Sequence, residues 1–168
     1  MANQVPISSL IGANLSSSDT TALFALGTTI NTNDGGRFQY VAATSTLVTG
    51  ELVLLNPTST AFALTTAALT ASANGINIGA AQNIINQGEF GWFATQGRNL
   101  YILCTGTCTA GAELGFGFSA NSGRIQNALV VGVGATCLGL FITTSASTAT
   151  ASAAVGTLEW PRPVSQLA

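Results

Sequence analysis

From Arg37 onward the chain alternates short runs of branched and aromatic residues with clusters of Gly, Asn and Pro. The runs predict strands over Arg37 to Ala43, Glu51 to Leu55, Ala61 to Leu64, Gly75 to Ala80, Phe90 to Thr95, Leu100 to Thr105, Leu114 to Ser119, Arg124 to Val131 and Leu138 to Thr143. Between them stand Thr49-Gly50, Asn56-Pro57, Asn74-Gly75, Gly97-Arg98-Asn99, Ala110-Gly111 and Asn121-Ser122-Gly123. Each supplies a left-handed or proline-fixed turn position. Short strands at this spacing predict an all-β fold, a compact β-barrel or β-sandwich. Phe90 to Thr95 and Leu100 to Cys104 read as the arms of a hairpin around Gln96-Gly97-Arg98-Asn99. In Leu114-Gly115-Phe116-Gly117-Phe118, large residues fall on one face and glycines on the other, a face that suits close backbone approach.

The two ends differ from this centre. Residues 1 to about 30 show no sustained period of two or 3.6 and are expected to form an extended N-terminal arm, leaving 31–168 as a single β domain. Val5, Ile7, Leu10 and Ile11 are the apolar anchors by which such an arm would pack on a neighbour. Within it, Asp19 is placed to cap one helical turn that Gly27 would stop. The Ser/Thr/Ala tract from Thr143 to Ala154 reads either as a surface loop or as an edge strand. Val155 to Trp160 is a last candidate strand, ended by Pro161-Arg162-Pro163. Trp160 is too large an apolar group to leave in water; with Trp92, Phe93 and Tyr101 it belongs to the core or to a subunit contact.

Composition sharpens the picture. The 168 residues carry 4 basic and 6 acidic side chains, so 6 % are charged, against about 25 % in an ordinary domain. A compact monomer of this size exposes roughly 7,700 Å², or about 770 Å² for each charge. Such a surface is either kept soluble by Ser, Thr, Asn and Gln or covered by neighbours in an assembly.

The absence of Lys and His removes imidazole-based triads, histidine metal sites and Schiff-base lysines. No catalytic, cofactor-binding or metal-ligating set is expected, and no cofactor. The acids Asp19, Asp34, Glu51, Glu89, Glu113 and Glu159 each fall in or beside a predicted turn or strand start. A carboxylate enzyme would need two of them to converge in a cleft. Arg37, Arg98, Arg124 and Arg162 are scattered and the net charge is -2, which argues against a nucleic-acid partner. Leu129 to Ile142 is too short to span a membrane and is broken by glycines. The opening residues lack the basic and apolar regions of a secretory signal. Synthesis and use without crossing a bilayer are therefore expected. Cys104, Cys108 and Cys137 lack the partners of a zinc site and read as small apolar packing residues.

Thr49-Gly50-Glu51-Leu52-Val53-Leu54-Leu55, Ile76-Asn77-Ile78-Gly79-Ala80-Ala81 and Gln87-Gly88-Glu89-Phe90-Gly91-Trp92-Phe93 follow one another in an order that resembles small phage head-decoration (capsid cement) proteins. Ala110-Gly111-Ala112-Glu113-Leu114 and Asn121-Ser122-Gly123-Arg124-Ile125 continue the pattern, and Ala135 to Ile142 resembles its closing strand. The resemblance covers roughly residues 37 to 143 and is one of layout and glycine placement. It implies a homotrimer bound to the major capsid protein on the outer surface of a phage head, made in the host cytoplasm, with no catalysis. The long arm and the Ser/Thr/Ala tail depart from the pattern. A tail, fibre or knob β-module for host attachment is the alternative; as a glycan binder it would expose Trp92, Phe93 and Tyr101 as an aromatic platform.

Overall fold

Thr29 opens the first of ten strands in a computed structural model that describes residues 13–56, 58, 60–63, 77–111, 114–116, 124–127, 135–144 and 146–165. The strands are β1 (Thr29–Asn31), β2 (Arg37–Ala43), β3 (Leu52–Leu55), β4 (Thr60–Ala63), β5 (Asn77–Ala81), β6 (Phe90–Cys108), β7 (Leu114–Phe116), β8 (Ile125–Asn127), β9 (Ala135–Thr144) and β10 (Ala146–Ser165). The fold is all-β, with no helix among the described residues.

Five strands close on themselves. β2, β4, β3, β5 and β6 pair in that order, and β6 returns to β2 through Phe38↔Ala94, Tyr40↔Trp92 and Ala42↔Phe90. Every step is antiparallel except β2 to β4. The remaining strands bond outside this barrel. β1 lies on β2, while β10, β9, β7 and β8 continue from β6, and β8 rejoins β6 at Cys104↔Ile125.

Closure with an outer layer buries both faces of the barrel strands. Val41, Ala43, Val53, Leu55, Ala61, Ala81 and Phe93 come from all five barrel strands and pack together with Leu47 and Ile85, filling the barrel. The opposite faces of the same strands, with Phe38, Tyr40, Leu52, Leu54, Ile78 and Trp92, join Ile30, Ile125, Leu140, Ile142 and Leu158 in a larger cluster. All four residues of β3 are buried. Strands buried on both sides read as continuous apolar runs, which is how Leu52-Val53-Leu54-Leu55 reads.

Several expectations change. The hairpin around Gln96 to Asn99 is instead one strand, because β10 pairs through the supposed loop, with Gly156↔Leu100 at its far side and Leu158↔Gly97 and Glu159↔Gln96 within it. A type I′ hairpin turn needs two consecutive residues at left-handed φ. Here Asn99 is left-handed at φ 56 while Gly97 sits at φ 148. The result is a kink, with register shifts in the ladders to β2 and β10. The Ser/Thr/Ala tract is strand, not loop: Ala146 to Ala154 pairs with β6, and β9 joins β10 from Val155 onward. Nor does Pro161 end the last strand. β10 shifts register between Leu158 and Arg162 and continues against β9 to Ser165. Pro163 lies where the β6 ladder has already stopped, a position that tolerates a residue without N–H.

Asp19 caps no helix. It forms a bridge to Phe90, with Asp19 N donating to the Phe90 carbonyl at 2.8 Å and Phe90 N to that of Asp19 at 2.9 Å. The expected arm thus divides. Residues 1–12 lie outside the described residues, and so do the anchors Val5, Ile7, Leu10 and Ile11. Ala13, Leu15 and Phe24 pack against the larger cluster, and Thr29–Asn31 is strand β1.

Candidate contact surface

Two loops with one design cross at the end of the barrel. Ala43 to Glu51 and Ala81 to Glu89 correspond residue for residue at an offset of 38, with Ala43 matching Ala81, Leu47 matching Ile85, Gly50 matching Gly88 and Glu51 matching Glu89. Their bonds are reciprocal. Leu47 N donates to Ile85 O at 2.8 Å and Ile85 N to Leu47 O at 3.1 Å; Gly50 N donates to Ala81 O and Gly88 N to Ala43 O; Ala81 N donates to Glu51 O and Ala43 N to Glu89 O. This is a local twofold within one chain. Each turn ends in a left-handed glycine, φ 85 at Gly50 and φ 83 at Gly88. Each also has its glutamate folded back to accept the N–H three residues earlier, Val48 N on Glu51 and Asn86 N on Glu89, both at 3.0 Å.

Val48 and Ile84 flank the Leu47↔Ile85 bridge on facing segments, which makes them cross-strand neighbours. They are exposed by 40 % and 60 %. Leu23, Leu26 and Phe141 are the other exposed large apolar residues among those described. The loops are fixed by reciprocal bonds, so Val48 and Ile84 meet a partner without a large ordering cost.

The matched glutamates have diverged. Glu51 is buried, and loss of solvation holds its carboxyl above the ordinary value of 4.5, against the Val48 N–H and the Arg124 charge. Glu89 accepts from Ser18 Oγ at 2.6 Å and from Asn86 Nδ2 at 3.1 Å, and these bonds, Ser18 foremost, hold it below 4.5. Of the two turns the sequence marks Thr49-Gly50 alone, and the matching turn and the difference in burial emerge only from the fold, because both depend on what it lays over each loop.

Other polar groups are structural. Tyr40 donates its hydroxyl to Asp19 Oδ2 at 2.8 Å and accepts from Leu23 N at 3.2 Å. Burial pushes its pKa up to about 12. The Gln82 side-chain amide substitutes for a strand, accepting from Tyr101 N at 2.9 Å and donating to Tyr101 O at 3.1 Å. No sequence pattern marks Gln82 for that role.

Of the aromatics singled out by sequence, Trp92 and Phe93 are in the core and Tyr101 is half-buried. Trp92 and Phe93 face opposite sides of β6 and join different clusters. Trp92 packs with Tyr40 and Phe24 at ring-centroid distances of 5.0 and 5.3 Å. The backbone of Trp160 belongs to β10, and its side chain lies outside the described residues.

Asp34 and Glu159, distant in sequence, line one shallow cleft of about 200 Å³ together with Gln96, Arg98 and Thr157. The β6 kink and the β1–β2 turn form it. The Asp34 carboxylate is engaged in its own turn, accepting from Gly36 N and Thr32 Oγ1, and Glu159 is exposed. No group of three or more metal-ligating side chains occurs among the described residues.

These features define a class of architecture: a closed five-stranded β-barrel wrapped by outer strands, with apolar residues carried on rigid, twofold-related loops. No family model, curated protein or solved structure matches the chain.

Proposed function

We propose that the protein is a virion structural protein, a decoration or cement protein that binds the major capsid protein on the outer surface of a phage head and stabilises the shell. Contact is its function, and it is not an enzyme. The reading rests on the layout resemblance, and the observation that carries it is the exposed Val48–Ile84 pair on the twofold-related loops. The two glutamates of these loops are tied to their own turns, Glu51 buried on Val48 N and Glu89 on Asn86 N. The chain as a whole is 6 % charged, so covering the pair strands few further charges. A protein that binds the assembled shell and not free capsid subunits stabilises the shell by mass action, and many copies add avidity. The aromatic platform required by a glycan-binding module has two of its three members, Trp92 and Phe93, in the core, which counts against glycan binding through it.

The reading is tested by adding purified protein to heads that lack it. Val48→Asp and Ile84→Asp are expected to weaken binding at least tenfold, about 1.4 kcal/mol, without lowering the melting temperature. Unchanged binding by both variants would contradict it. Light scattering is expected to give a homotrimer at micromolar concentration or on the shell; a monomer in both settings would remove the trimer.

A further inference from the structure

Cys104 and Cys108 lie four positions apart on β6, and in a regular strand that spacing separates two Cα atoms by about 13 Å. Here both reach one residue of β8. Cys104 is the register partner of Ile125, and Cys108 Sγ donates to the Ile125 carbonyl at 3.4 Å. β6 therefore bends between Cys104 and Cys108. The ladder to β10 changes register opposite the bend, from Ser152↔Cys104 to Thr148↔Gly106. Their shared placement against Ile125 brings the two thiols within interaction range, and their mutual hydrogen bond holds Cys104 above the ordinary thiol value and Cys108 below it. Both side chains are fully buried in the larger cluster. Packing accounts for small apolar residues in a core, but it does not require two thiols to meet.

We propose that Cys104 and Cys108 are a redox pair that closes to an intrachain disulfide, leaving Cys137 as a free thiol. A reducing cytosol keeps the pair open, and an oxidising medium closes it. With a low-molecular-weight disulfide such as oxidised glutathione as oxidant, local opening of β6 exposes Cys108. Its thiolate attacks one sulfur of the oxidant, expels a first small thiolate and leaves a mixed disulfide. The Cys104 thiolate then attacks the Cys108 sulfur and expels the second. One S–S bond breaks in the oxidant and one forms in the protein. The two protons end on two molecules of small thiol. The proposal does not depend on the capsid reading.

The test is to refold the full chain from denaturant in reduced or oxidised glutathione buffer, so that burial does not limit access. Thiols are then alkylated under denaturing conditions and peptides are weighed. All three cysteines are expected to be alkylated in the reduced arm. In the oxidised arm the tryptic peptide from Asn99 to Arg124 should be unalkylated and about 2 Da lighter, while the peptide holding Cys137 is alkylated. Cys137→Ala should leave that result unchanged. The oxidised form should melt at a higher temperature, and dithiothreitol should reverse the rise. Three free thiols in the oxidised arm, a stable mixed disulfide with glutathione, or a bridge to Cys137 would each overturn the proposal.

Discussion

Gly50 and Gly88 hold the same left-handed backbone in different surroundings, so the same substitution separates strain from crowding. A Cβ on Gly50 would lie 2.8 Å from Leu103 N and 3.1 Å from Ile102 C, whereas nothing lies within 4 Å of one on Gly88. Gly88→Ala is expected to cost about 1–2 kcal/mol, the left-handed penalty alone. Gly50→Ala should cost roughly 3 kcal/mol or more, since Leu103 N also donates to Gly50 O at 2.7 Å and the backbone cannot withdraw freely. Denaturant titration of the two variants measures the difference; equal losses would show that crowding at Gly50 is relieved. The glutamates give the matching electrostatic test. A raised carboxyl such as Glu51 contributes stability that is full below its unfolded value and lost as pH rises through its folded value. The lowered Glu89 contributes stability present above its unfolded value and lost as pH falls. Glu51→Gln should therefore raise stability near neutral pH, and Glu89→Gln should lower it and flatten the acid limb. Urea midpoints between about pH 3 and about pH 8 read both; a fall in neutral stability for Glu51→Gln would contradict the burial argument.

β6 is the element on which most of the fold depends and the one least legible in sequence. β2 is predicted over its full length, Arg37–Ala43, because F-x-Y and V-x-A place apolar groups on alternate faces between clear turns. β6 is cut in two by Gly97-Arg98-Asn99, which carries the residues of a turn but acts as a kink held by β10, a partner about 60 residues away. The Ser/Thr/Ala tract has no periodicity to mark it as strand, and its pairing is likewise set by β6. The glycine–glutamate turns, by contrast, are local: Thr49-Gly50 is predicted as a turn, and Gln87-Gly88-Glu89 carries the same Gly-Glu pair although no turn is predicted there. What spacing does not reveal is that they bond to one another, or that Cys104 and Cys108 meet. Two substitutions test this view of β6. Asn99→Val places a β-branched residue at φ 56 and should cost about 1–2 kcal/mol, with Asn99→Gly near neutral. Gln82→Ala leaves Tyr101 N–H and C=O without their amide partner and should cost about 1–3 kcal/mol. Both are read from unfolding midpoints, and a neutral Gln82→Ala would show that β6 does not need the side-chain splint.

At the scale of the whole molecule, the scarcity of charge has two sources. Barrel strands buried on both faces use much of the 47 % hydrophobic content inside the chain, which needs no partner. Val48, Ile84, Leu23, Leu26 and Phe141 remain outside, and these are the residues a contact protein would cover. The central claim is that the chain acts by covering a capsid surface. Electron microscopy of intact particles from the source tests it most directly. The barrel should fit density on the outer surface of the head, with the Val48–Ile84 loops at an interface. Density confined to the tail, or no copy of the chain in the particle, would contradict it.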